Sequence, residues 1–240
     1  GNTWVKLNSN AFSDVATPPA QTPFGYKAAE VLTFTGAAWD GKRERYYLWG
    51  VNSTPYAGNE VYVFDTATMR WERGSLPSMI QDSGATTASG AAIWLTVDGN
   101  ENSPMPAESY DAVSFLPQSD RLAILGGLVW PGSQAQQYEA DNKTLTGPFF
   151  WNPDLAHPAR VGGLDGSQGD PAKFPHVSGG QMWQNRRSHD NQSARPANLV
   201  QAATAATVID GKDVVYVHEQ GSPGNLWRYT VHDPADPSQD

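Results

Sequence analysis

A two-strand pattern with a polar turn between its halves recurs three times along the 240 residues, and no other feature constrains the fold as much. The first copy runs from Phe34 to Trp39, turns over Asp40 to Glu44, and continues from Arg45 to Gly50. The second runs from Tyr110 to Phe115, turns between Pro117 and Asp120, and continues from Arg121 to Gly127. The third runs from Ala203 to Val208, turns over Asp210-Gly211-Lys212, and continues from Asp213 to His218. The Asp-Gly pairs supply the positive φ that tight hairpins require. Other short β-branched and aromatic runs stand at Glu60–Phe64, Ala91–Val97, Phe149–Trp151 and Leu226–Val231. Helical periodicity is hard to find, because Gly or Pro interrupts almost every window that offers it, and the chain has 23 and 18 of them. An all-β fold follows: sandwich, barrel or propeller.

After the first hairpin the chain continues with Asn59-Glu-Val-Tyr-Val-Phe-Asp65 and then Trp71, which gives that unit four strands. A hairpin ending in Gly50, then Asn59, Asp65 and Trp71 at these spacings, resembles the kelch-type β-propeller family. The match is fullest over 34–72. The second copy keeps Gly126 and Gly127, and the third has His218-Glu219 where glycines are expected. The resemblance implies about three four-stranded blades, near 31–74, 108–154 and 200–231, with long inserts at 75–107, 129–145 and 152–200. A β-sandwich is the alternative. Trp71 is expected to pack between neighbouring blades. Residues 3–7, Thr3-Trp4-Val5-Lys6-Leu7, look like a tryptophan strand with nothing before it. They are expected to complete a blade beside Leu226–Val231 of this chain or of a copy. Propellers close with about four to eight blades, so three imply a longer chain or an oligomer.

Charge and composition narrow the partners. The formal charge of −9 argues against the phosphate-tracking surface that nucleic-acid binding needs. The longest strongly apolar stretch, Leu122–Trp130, carries two glycines and falls short of the roughly 18 residues of a membrane span. With no cysteine, disulfides and thiolate chemistry are absent. Some kelch-like propellers are copper radical oxidases that depend on a cysteine cross-linked to tyrosine, and the missing Cys excludes that activity. No nucleophile elbow, zinc-protease or phosphate-loop motif occurs.

Two loops carry candidate sites. The stretch from Trp183 to Arg195 gathers arginines in an acidic chain beside an indole and amides. Trp183, Arg186, Arg187, His189 and Arg195 therefore form a candidate site for an acidic glycan, against the alternative of a solvated loop. Asp98, Asn100 and Asn102 place oxygens at alternate positions, the opening of a calcium loop. Ser103 and Ser109 stand where that loop needs glycine and glutamate, so an Asx-rich turn competes. Residues 165–170 pose the same choice. Six tryptophans (4, 39, 49, 71, 151 and 227) fall on expected strands and are assigned to core packing, while Trp130 and Trp183 are assigned to loops. Sequons at Asn52, Asn142 and Asn191 point to an extracellular, surface or particle-associated setting. The functional expectation is a non-catalytic binding or structural scaffold whose long loops meet a protein or glycan. The alternative is an enzyme acting on an acidic sugar, with Arg186, Arg187 and His189 binding substrate and moving protons.

Overall fold

The first repeat folds into a four-stranded antiparallel meander, β1 (Gly36–Asp40), β2 (Arg45–Trp49), β3 (Tyr62–Asp65) and β4 (Arg70–Arg73), in the order β1-β2-β3-β4. The structure is a computed structural model, and it describes residues 2–23, 31–51, 56–86, 90–99, 101–130, 147–164, 177–186, 196, 199–221 and 224–239. A hairpin of β5 (Ile80–Thr86) and β6 (Ala92–Thr96) follows. Next come β7 (Ala107–Glu108), β8 (Val113–Leu116), β9 (Arg121–Ile124), β10 (Leu128–Val129), β11 (Phe149–Trp151) and β12 (Trp183–Asn185). Strands β8, β9, β11 and β12 build a second meander in that order, and β7 pairs with β10 in a short ribbon. The last sheet is β13 (Ala203–Ile209), β14 (Lys212–His218) and β15 (Leu226–Thr230). The protein is all-β, built from antiparallel sheets of which none closes on itself. Among the described residues, helix is limited to single 3-10 turns.

The first two hairpins share their turn conformation as well as their residue pattern, and the third has a shorter turn. Positive φ occurs at Glu44 (53°) and Asp120 (57°), each the last turn residue before the second strand, and in the third hairpin at both residues of the two-residue turn, Asp210 (51°) and Gly211 (75°). In the first turn, Asp40 Oδ1 accepts the N–H groups of Lys42 at 2.9 Å and Arg43 at 3.2 Å, an Asx turn that closes the reversal. The β3–β4 turn repeats the device, with Asp65 Oδ1 accepting from Ala67 and Thr68 and Oδ2 receiving Arg45. Asn59, the other repeat residue, holds two loops: its amide donates to Pro104 O and accepts from Ser78 N.

The sheets pack face to face in chain order. Strict alternation sends Tyr47, Trp49, Val61 and Val63 of the first sheet toward Val113, Leu122, Phe149, Trp151 and Trp183 of the second. Tyr47 stacks on Phe115 and meets Trp151 edge-on at 5.7 Å. The opposite face of the second sheet, Ala112, Leu116, Ala123 and Phe150, packs on Val215, Val217 and Trp227 of the third. The first strands of the three sheets lie side by side, β1 against β8 and β8 against β13. A parallel bridge joins Asp111 to Ala203, and Thr204 Oγ1 donates to Asp111 O at 2.7 Å.

Several expectations change. Residues 3–7 form no strand, Trp4 is fully exposed, and β15 pairs with β14 alone. The second unit extends beyond 108–154, because the expected insert at 152–200 returns as β12 to pair with β11. The expected insert at 75–107 contains the β5–β6 hairpin and β7. Trp130 and Trp183 belong to the core instead of to loops, whereas Trp39 is half exposed.

Glycine is required where the end of β2 meets the loop that enters the second sheet. Gly50 has φ 131°, and a Cβ there would overlap Ser109 Oγ. Ser109 itself accepts the Gly36 N–H and donates to Trp49 O, both at 2.6 Å, so it has no room to move. Gly127, with φ 126°, faces Glu108 O in the equivalent place after β9. Gly126 is pressed against Leu199 O. Gly50→Ala should cost about 2–4 kcal/mol, from a strained φ and an overpacked joint. Gly90→Ala, at positive φ in open space, should cost about 1 kcal/mol. Urea unfolding of the two variants measures the difference; equal costs would mean that Ser109 yields.

Candidate functional site

Cross-strand register assembles an aromatic row on the face of the first sheet turned away from the second. Trp39 lies opposite Tyr46, Tyr46 opposite Phe64, and Phe64 opposite Trp71, one residue from each strand. Phe64 and Trp71 touch with ring centroids 5.0 Å apart. Trp39 is 51% exposed and Tyr46 39%, so the β1–β2 end of the row is open. With Leu7, Asn8 and Thr66 the row bounds a groove of about 430 Å³. Its walls are nearly all carbon.

The N-terminal segment shapes the rest of this face. Ser9 N–H donates to Met69 O at 2.7 Å. The Asn10 side-chain amide accepts the Trp71 N–H at 2.8 Å and donates to Trp71 O at 3.0 Å. These bonds stand in for a fifth strand and cover part of the β4 edge. Phe12 then packs edge-on against Trp71 and at 4.6 Å from Tyr62. Trp71 is thus held on the outer face, between β3 and the N-terminal segment, and not between two sheets.

Beneath this segment Glu60 is buried. Its Oε1 accepts from Thr17 Oγ1 at 2.9 Å, Tyr56 OH at 2.7 Å and Tyr62 OH at 2.9 Å. Among the described residues its Oε2 has no hydrogen-bond partner. Desolvation raises the Glu60 pKa above the ordinary 4.5, and the three hydroxyl bonds only partly oppose it.

At the hairpin-turn end, charge ties the sheets together. Arg43 bridges Asp40, Asp120 and Asp154, and its guanidinium holds the Asp120 pKa down at about 2. Asp213 accepts from Ser119 N, Ser119 Oγ and Gln118 N, which fastens the β8–β9 turn to the third sheet. These groups are spent on one another and on backbone.

The sequence-derived candidates fare differently. Trp183 is buried on β12 opposite Trp151, with its ring 6.2 Å from Trp49, where no glycan can stack on it. Arg186 is wholly buried, its guanidinium 4.8 Å over the Phe150 ring, and it donates to Asp233 O at 2.8 Å and Pro234 O at 3.0 Å. It anchors the C-terminal segment instead of facing a ligand. Arg187, His189 and Arg195 lie outside the described residues, as do Asn100 and residues 165–170. Asp98 Oδ2 accepts from Ser78 Oγ at 3.1 Å, and the Asn102 side-chain amide donates to Asp98 O at 2.8 Å. Among the described residues no three His, Asp or Glu side chains gather as metal ligands.

No family model, no curated protein and no solved structure matches the chain. The aromatic row is the feature that sequence reasoning passed over. Alternation in four strands could have put Trp39, Tyr46, Phe64 and Trp71 on one face, but it could not say that this face stays open.

The Glu60 cluster sets a pH dependence whose sign is fixed by the raised folded pKa. The stability it contributes is fully present below 4.5 and is lost as pH rises through the folded value. Glu60→Gln keeps the shape and removes the ionisation, so the variant should gain on the wild type as pH rises. Urea unfolding across a pH series checks this; parallel stability curves would show that Glu60 does not titrate in that range.

Proposed function

We propose that the chain is a non-catalytic scaffold of the kelch-like propeller type that docks a protein partner through apolar sheet faces. Three successive meanders stack face to face with their first strands side by side, and that arrangement carries the architectural part of the reading. The matching positive φ at Glu44 and Asp120, just before the second strand, and at Gly50 and Gly127, just after it, supports descent of the first two sheets from one repeated unit. In a propeller the first strands surround an axis and the last strands diverge; in a layered sandwich the sheets stay at an even separation.

The open aromatic row carries the docking part. A glycan needs several hydrogen-bond partners for its hydroxyls, and the groove is walled mainly by carbon, with Asn8, Thr66, the Tyr46 hydroxyl and the Trp39 and Trp71 indole N–H as its polar groups. An apolar protein surface fits it better. The competing enzyme reading needs Arg186 at a substrate, and its guanidinium is committed to the carbonyls of Asp233 and Pro234.

The chain has no cysteine, so paired introduced cysteines give clean spin-label sites. Labels at Lys42 and Asp210 report the spacing of the first and third sheets near the first strands, and labels at Arg70 and Arg228 report it near the last strands. A propeller predicts a clearly longer distance for the second pair by electron–electron resonance. Equal distances would leave the sandwich.

A further inference from the structure

We infer that the outer face of the third sheet binds a glycan that bears a carboxylate, with a sugar ring on Tyr216, its carboxylate on Arg228, and its hydroxyls on His218 and the free edge of β15.

Alternation sorts the charge of β14 between two faces. Val215 and Val217 pack toward the second sheet, and Asp213 and Glu219 point the same way and are buried. Asp213 accepts three donors from the β8–β9 turn, and Glu219 accepts from the Asn225 amide and the Trp227 indole. Lys212, Tyr216 and His218 occupy the alternate positions and are exposed. Arg228 of β15, also exposed, lies directly opposite Tyr216. Both charged side chains that these three strands turn outward, Lys212 and Arg228, are therefore cationic, on a chain whose formal charge is −9. The acid nearest to them along the strands, Asp210, sits in the β13–β14 turn about 20 Å from Tyr216.

The register brings the polar groups of this face close to one another. Glu219 N–H donates to Asn225 O and Val231 N–H donates to Asp213 O, which makes Tyr216 and Arg228 a non-hydrogen-bonded pair. Side chains stand closest in such a pair, with Cβ atoms about 5 Å apart, and His218 follows about 7 Å along the strand. The same parity turns the N–H and C=O of Leu226, Arg228 and Thr230 to the outer edge of β15, where no strand pairs with them among the described residues. Among those residues the Arg228 guanidinium, the Tyr216 hydroxyl and the His218 ring also have no hydrogen-bond or ion-pair partner. Ala205 and Ala203 flank Tyr216 and His218 on β13, and their methyl groups leave the phenol ring uncovered on that side. Gly224 makes room for His218: its φ is 71°, and a Cβ there would stand 3.3 Å from Nε2.

This face has the opposite character to the first-sheet groove, whose walls are mainly carbon. A planar guanidinium holds a carboxylate through two parallel bonds. An exposed phenol ring takes the apolar face of a sugar, and the imidazole, the phenol hydroxyl and the edge of β15 supply donors and acceptors for hydroxyls. Lys212 stands about 13 Å from Tyr216 along β14 and adds long-range attraction for an acidic chain. An acidic protein surface would use the charges and leave the ring and the edge idle, so the sugar accounts for more of what is there.

Titration calorimetry at low salt tests this with tetragalacturonate, a hyaluronate hexasaccharide and trisialic acid as carboxylated probes, maltohexaose as a neutral probe and hexaglutamate as an acidic peptide. At least one carboxylated glycan should bind, maltohexaose should not, and added salt should weaken the binding. Arg228→Gln and Tyr216→Ala should each weaken it about tenfold or more, with unchanged circular dichroism, because both positions are exposed. Arg228→Lys, which keeps the charge and loses the fork, should recover only part of that loss. Arg70→Gln, the same change of charge at an exposed position on the first sheet, should leave the affinity unchanged. Failure of all three carboxylated glycans to bind at millimolar concentration would overturn the proposal, as would equal binding of maltohexaose. Binding that survives Arg228→Gln would overturn the assigned site. Hexaglutamate binding as tightly as the glycans and unaffected by Tyr216→Ala would overturn the sugar and assign the face to an acidic protein.

Discussion

A meander of four short strands has two faces and can bury neither by itself, so this chain holds together by laying one sheet upon the next. The second sheet carries the others, because among the described residues it alone has a sheet packed on both faces. Its strand β11 shows the consequence: Phe149, Phe150 and Trp151 are all inaccessible, and alternation sends Trp151 toward the first sheet and Phe150 toward the third. Burial of such side chains contributes about 1.5–3 kcal/mol each, enough that losing one sheet would undo the next. Among the described residues the outer sheets have a neighbouring sheet on one side only; the N-terminal segment covers part of the other face of the first, and the open aromatic row and the exposed alanines of β13 lie on these outer faces.

Polar groups fix the register of this packing. Where the chain passes between sheets, backbone groups are carried into the interior and must find partners there. Ser109 supplies both a donor and an acceptor at the first joint, and Asp213 collects three donors at the second. Gly36, Gly50, Gly126 and Gly127 are the clearance that lets these loops come so near. An apolar face alone would tolerate sliding; a buried hydroxyl with fixed partners would not.

The N-terminal segment sets how much of the aromatic row stays open. Asn10 pairs with the Trp71 backbone in place of a strand, so new sheets are steered away from edge addition at that point. Thr17 ties the same segment to the buried Glu60, which gives its attachment a proton dependence that the apolar contacts of Phe12 lack. A surface made of aromatic residues can then stay open at one end and be closed at the other, according to how far this segment reaches across it.

Local chemistry was legible in the residues themselves. The hairpins at Asp40, Asp120 and Asp210, the runs that became β2, β11 and β13, and the Asp65 turn follow from alternation, turn residues and positive φ, all of which act within a few positions of chain. The kelch resemblance was drawn from the same short patterns, and it supplied an architecture that the sheets are compatible with. Alternation says which residues share a face and is silent on which face another sheet will cover. Hence Trp39 was assigned to the core and stands open, while Trp183 and Arg186, in a stretch read as a polar loop, return across a long insert to pair with β11 and are buried. That return is a pairing between residues far apart in sequence, decided by the unsatisfied edge of β11 and the apolar faces beside it. Only the assembled sheets bring those together, and so only the tertiary structure could decide which side chains became core and which became surface.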